Sequence, residues 1–162
     1  MNGSFNNNFT HKAQDALIQA QNIAQNKGQQ QIDPLHLLLA LLEQEGSIVV
    51  TALERIGVDL ENLKKKTEQA INKIPAILTP NVFGQLYLTQ DMARVLDRAK
   101  QEASKMGDEY ISVEHLFLAL LDVPSRAKDI LSQVTFVQPM GQEGATLEYG
   151  KLDYETFLKI LS

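Results

Sequence analysis

Residues 10–42 of this chain align without a gap on residues 89–121, at a constant offset of 79, and twelve of the 33 positions are identical. THKAQDALIQAQNIAQNKGQQQIDPLHLLLALL becomes TQDMARVLDRAKQEASKMGDEYISVEHLFLALL. The identities include Thr10/Thr89 at the start, Leu17/Leu96 and Ala20/Ala99 within, Gly28/Gly107 at a break, and His36/His115 ahead of a shared L-x-L-A-L-L. A unit of this length is one supersecondary block that cannot bury its apolar face alone. Two copies bury their faces together, which predicts a pseudo-two-fold and a groove between the halves.

Each copy reads as helices. Thr10 is a good N-cap, because its hydroxyl accepts from an orphan backbone N–H. Ala13, Ala16, Leu17, Ala20, Ile23 and Ala24 then recur at helical spacing, and Gly28 supplies the left-handed stop. Asp33-Pro34 opens a second helix, Asp as N-cap and Pro at the first helical position. Leu35 to Leu42 is almost wholly apolar, as in a helix buried on most sides. A third helix is expected over about 47–56, ending at Gly57, and a fourth from near Asp59 to about Ile74, ended by Pro75. Two prolines and a glycine make 75–88 an irregular linker. The second copy restarts at Thr89 with Met92, Val95, Leu96, Ala99 and Ala103 inward, then Gly107, then Ser112 capping Val113–Leu121, then a helix over about 125–133. LDYETFLKIL at 152–161 echoes VDLENLKKKT at 58–67 as a fourth helix. Between them an insert at about 134–150 has no counterpart. Its β-prone runs TFVQ and ATLEY flank a Gly-containing turn and predict a β-hairpin. The organisation expected is a flexible N-terminal arm (1–8), repeat one (9–74), the linker (75–88) and repeat two (89–162).

With 162 residues, 44% hydrophobic and 22% charged, the chain can build one soluble core. A net charge of -5 argues against nucleic acid, which is met by a basic face. There is no cysteine, hence no disulfide or thiolate chemistry. No run approaches a membrane span, and MNGSFNNNF lacks the basic and apolar regions of a secretory signal.

His36 and His115 invite a catalytic or metal reading, but neither has a second ligand at local spacing. The alternative is a structural bond to loop backbone at a helix start. Asp108, Glu109 and Glu114 cluster before and inside a helix start. They either complement the helix dipole or form the polar rim of a partner-binding surface. Gly144-ATLEY-Gly150-Lys151-Leu152 fails as a phosphate loop: five residues separate the glycines, and Leu152 stands where Mg²⁺ needs a hydroxyl. No nucleophile motif of the G-x-S-x-G type occurs. Leucines near the exposed ends of the first helices are placed to line an apolar inter-repeat groove with an acidic rim, a form that suits peptide binding.

FTHKAQDALIQAQNIA, QIDPLHLLLALLEQEG and GDEYISVEHLFLALL resemble the duplicated N-terminal domain of Clp-type AAA+ unfoldases. PLHLLLALLEQEG and GDEYIS are most similar to the ClpB-type disaggregases. The resemblance covers about residues 5–133 and returns at 152–161. It implies an all-α domain of eight helices in two four-helix repeats, non-catalytic and tethered ahead of ATPase rings. Implied partners are unfolded or aggregated proteins, adaptor proteins, and the AAA+ rings of the same chain, in the cytoplasm. ATP and Mg²⁺ belong to those rings, and no cofactor or metal to this domain. Neither nucleic acid nor membrane is a partner. The isolated domain is expected to be a monomer and the full-length protein a hexamer. The substrate-binding positions it implies are Thr10, Leu96, Asp108 and Glu114, with His115 beside them. Some relatives carry an acid before the histidine in both repeats; here Glu114 keeps it and Leu35 replaces it. A free-standing regulator that docks on a Clp ring is the other role the resemblance allows.

Overall fold

The computed structural model describes residues 8–76, 86–139 and 147–162. Nearly all of the expected N-terminal arm, the middle of the expected linker and the turn of the expected hairpin lie outside them. The elements run α1 (His11–Asn26), β1 (Gln31–Ile32), α2 (Pro34–Leu42), α3 (Ile48–Arg55), α4 (Leu60–Asn72), β2 (Tyr87–Leu88), α5 (Gln90–Lys105), α6 (Val113–Asp122), α7 (Arg126–Ser132), β3 (Thr135–Pro139), β4 (Leu147–Lys151) and α8 (Tyr154–Leu161). The fold is all-α, with eight helices among the described residues and short strands at its edges.

The duplication holds in detail. Helices α1 and α5 are each 16 residues long. The Thr10 and Thr89 hydroxyls accept from Ala13 N (3.2 Å) and Met92 N (3.0 Å), each satisfying a donor the helix start leaves open. Gly28 (φ 69°) and Gly107 (φ 74°) end them in the left-handed region that an L side chain enters only at a cost. Every residue of α2 is buried, as is nearly all of α6, so these two helices form the centre of the molecule. The third helix of each repeat crosses to the other: α3 packs on α6, and α7 on α2. One apolar cluster therefore runs through both repeats, each buried leucine contributing roughly 1.5–3 kcal/mol.

The lead-in to each first helix also belongs to the opposite repeat. Within the stretch expected as irregular linker, β2 pairs in parallel with β1, Gln31 opposite Tyr87 and Ile32 opposite Leu88, and Thr89 N donates to Ile32 O (3.1 Å). Its mirror is the Phe9–Ile111 bridge, with Thr10 N donating to Ile111 O (2.9 Å).

Repeat two departs from repeat one at its end. Strands β3 and β4 form an antiparallel hairpin in the insert. Gly150 lies across from Phe136, whose ring sits 2.6 Å from where a Cβ would stand. Leu152 falls outside the expected last helix; it is buried in the loop, its N–H bonded to Val134 O (3.2 Å), and Asp153 caps α8 instead. Helix α8 is eight residues long and α4 thirteen.

Candidate functional site

Each central helix starts with the same device. His36 and His115 occupy the third helical position, where their Nδ1 atoms accept from the backbone N–H groups of the N-cap residues Asp33 (2.9 Å) and Ser112 (2.8 Å). With Nδ1 an acceptor, Nε2 carries the proton. His36 Nε2 donates to Gln29 Oε1 (2.6 Å) and His115 Nε2 to Asp108 Oδ2 (2.9 Å). Burial, helped by the nearby Lys27 charge, lowers the His36 pKa to about 4, so its ring is neutral at pH 7. Both histidines thus serve as reciprocal caps. Among the described residues no group of three or more His, Cys, Asp or Glu side chains could hold a metal ion.

The two loops that these histidines pin have opposite surfaces. In repeat one Gln29 is 3% exposed, and its amide NH₂ closes the end of α4 by donating to Ile71 O (2.9 Å) and Ile74 O (3.3 Å). Leu35 is fully buried. Burial raises the pKa of Asp33, partly offset by the Leu35 N–H and the Arg126 charge. In repeat two the equivalent positions are Asp108 and Glu114, with Glu109 and Tyr110 where repeat one has Gln30 and Gln31. The Asp108 side chain is 51% exposed and Tyr110 is 56% exposed.

These side chains line an open cleft of about 440 Å³ at the seam between repeats. Thr10 forms its repeat-one wall; Gly107, Asp108, Glu109 and Tyr110 form the second wall; Ser112, Glu114 and His115 at the start of α6 form the floor. Among the described residues no Lys or Arg pairs with Asp108, Glu109 or Glu114. Chemically it is a cleft lined by three carboxylates and one exposed aromatic face, with no Lys or Arg in its lining, suited to a cationic or polar group rather than to a purely apolar one.

The structure brings Thr10, Asp108, Glu114 and His115 together in this cleft. Leu96 stands apart, half-buried on α5 and packed against the core. The wall of this cleft is a loop rich in charged residues, and no leucine of the first helices lines it. Sequence reading named Glu109 only as part of an alternative polar rim and Ser112 only as a cap, and gave Tyr110 no role of its own; all three line the cleft. The offset-79 comparison of GQQQ with GDEY held the signal, since only one copy carries acid and an aromatic.

The class these features define is a doubled all-α domain with crossed third helices, exchanged lead-in strands and an open cleft at the seam. The profile of the Clp repeat (R) N-terminal domain family matches residues 8–134, and the chain belongs to this family. It is 41% identical over 114 residues to the chaperone protein ClpB of Bacillus cereus, covering 70% of this chain and 13% of the relative. The chain thus spans a small part of the curated relatives it matches. The fold also resembles the Hsp104 N-terminal domain from Candida albicans (TM-score 0.69, 24% identity, 76% of this chain and 79% of that one). A ClpV N-domain solved in complex with a VipB peptide has the same fold (TM-score 0.61, 17% identity, 78% of this chain and 79% of that one). No helix among the described residues is long and apolar enough to cross a membrane.

Proposed function

We propose that this domain is the substrate-recognition module of a ClpB-type, ATP-dependent disaggregase. It captures exposed segments of unfolded or aggregated proteins and passes them to AAA+ rings elsewhere in the same cytoplasmic assembly. The observation that carries this reading is the open cleft in which Asp108, Glu109 and Glu114 lie beside Thr10 and Tyr110, with no Lys or Arg among its lining residues. Such a surface offers acceptors to backbone N–H groups and to basic side chains, and an aromatic face to whatever flanks them. The domain itself does no catalysis, and ATP and Mg²⁺ are bound by the rings. A shallow cleft buries little area and an unfolded ligand loses chain entropy on docking, so binding is weak. Tethering beside the rings compensates by raising the effective concentration. That a ClpV N-domain was captured with a peptide is consistent with peptide recognition by this fold.

The test is fluorescence anisotropy with a labelled, permanently unfolded polypeptide. Glu114→Gln and Thr10→Ala should each weaken binding by about fivefold, as expected for a lost polar contact, with unchanged circular dichroism. Affinity should fall as salt rises. Equal binding by wild type and both variants would refute the cleft as the binding surface.

A further inference from the structure

Helix α8 is anchored at two points, one on α5, whose end leads into the wall of the acidic cleft, and one on α6, whose start forms its floor. On one side Tyr154 Oη donates to Glu102 Oε1 (2.6 Å). Glu102 is 1% exposed, in the last turn of α5, and ion-paired with Arg98 (3.0 Å) and Lys105 (3.5 Å). Both cations also approach the Tyr154 ring, at 6.0 and 5.6 Å from its centroid. The Glu102 carbonyl accepts from Met106 N (3.1 Å), holding the turn from which the wall Gly107–Tyr110 departs. On the other side the Phe157 ring packs on Phe117 at 4.7 Å, and Phe117 sits on α6 two residues beyond His115 of the cleft floor.

We propose that α8 is a detachable brace whose docking sets the geometry of the cleft, so that the last helix and an occupant of the cleft are coupled through α5 and α6. The brace is held lightly: Phe157 is fully buried, while Tyr154, Leu158, Ile160 and Leu161 pack on the core only half covered. Its second anchor is a hydrogen bond to a carboxylate that regains hydration when α8 leaves, so opening costs less than the bond's full strength. A segment with few buried contacts opens below the global unfolding energy. Burial and the Glu102 hydrogen bond push the Tyr154 phenol up from its ordinary value. The coupling is reciprocal: whatever tightens the cleft steadies α8, and displacing α8 loosens the cleft. Its functional meaning rests on the cleft being the binding surface, but its test needs no ligand.

Hydrogen exchange on the 162-residue chain, wild type against Tyr154→Phe, makes that test. Losing a bond to a charged acceptor should speed exchange about tenfold in α8 and at the Asp108 and Ile111 amides, which bond to Ala103 O and Asn8 O. Helices α1 to α4 should be unchanged. Phe157→Leu, which loosens the other anchor, should accelerate the same amides more than it accelerates helices α1 to α4. Acceleration of α8 alone, equal acceleration of all helices, or no change at all would each overturn the brace.

Discussion

At the scale of single residues, the two histidines show how one device serves two surfaces. His36 and His115 make the same bond to an N-cap amide, yet the residue on Nε2 is a buried amide in one repeat and a half-exposed carboxylate in the other. Burial of its own ring, with the Lys27 charge nearby, makes His36 a stability switch. Its folded pKa of about 4 lies below its usual 6.5, so the unfolded chain binds the proton more readily. Stability is therefore full above pH 6.5 and falls as the pH drops from there toward 4, by on the order of 2–3 kcal/mol. Asp33, raised by burial, acts in the opposite sense, but only in the lower window around and just above its usual 3.8. Urea unfolding from pH 8 to pH 4 should show the decline. His36→Gln should start less stable, having lost the cap, and decline less steeply. Parallel curves for the two proteins would show that another group carries the acid sensitivity. The capping role of both histidines was open to sequence reading because position and spacing repeat. The identity of the Nε2 partner was not, since it depends on a loop closing back over the helix start.

At the scale of elements, what could be read from sequence follows from length. Helices α1, α2, α5 and α6 carry several turns of apolar period and explicit caps, so their bounds were legible. The strands β1 and β2 are two residues each. No period exists over two residues, and their pairing is set by the pseudo-two-fold rather than by local preference, so 87–88 read as linker. The hairpin was legible from its β-prone runs, but its tight point was not. Gly107 and Gly150 separate the two reasons for a glycine. At Gly107 φ is 74° and nothing lies within 4 Å of an added Cβ, so Gly107→Ala should cost only conformational strain, about 1 kcal/mol. At Gly150 the Cβ would meet the buried Phe136 ring at 2.6 Å, and Gly150→Ala should cost more, about 2 kcal/mol, because a buried ring must shift to admit it. Urea midpoints at constant m-value give the order directly. The reverse order would mean that the Phe136 contact yields on demand.

At the scale of the whole molecule, the repeats are similar in sequence but not independent in structure. Each lends its third helix and its lead-in strand to the other, and α2 and α6 touch at the centre of one continuous cluster. A molecule built this way has no plane along which one half can unfold and leave the other intact. Leu41 on α2 is fully buried, and Leu41→Ala should destabilise the protein by about 3 kcal/mol. The loss should appear equally in α6, although α6 belongs to the other repeat, because the third helices tie the two cores into one cooperative unit. Hydrogen exchange resolves the point: protection in α2 and α6 should fall together in Leu41→Ala. Protection retained in α5 and α6 while α1 and α2 lose theirs would mean that the exchanged strands and crossed helices leave two separable folding units. Cooperativity of this kind bears on the cleft as well. Its Thr10 wall comes from repeat one and its floor from repeat two, so the cleft exists only while the whole molecule is folded, and any core substitution in either repeat reaches it through stability.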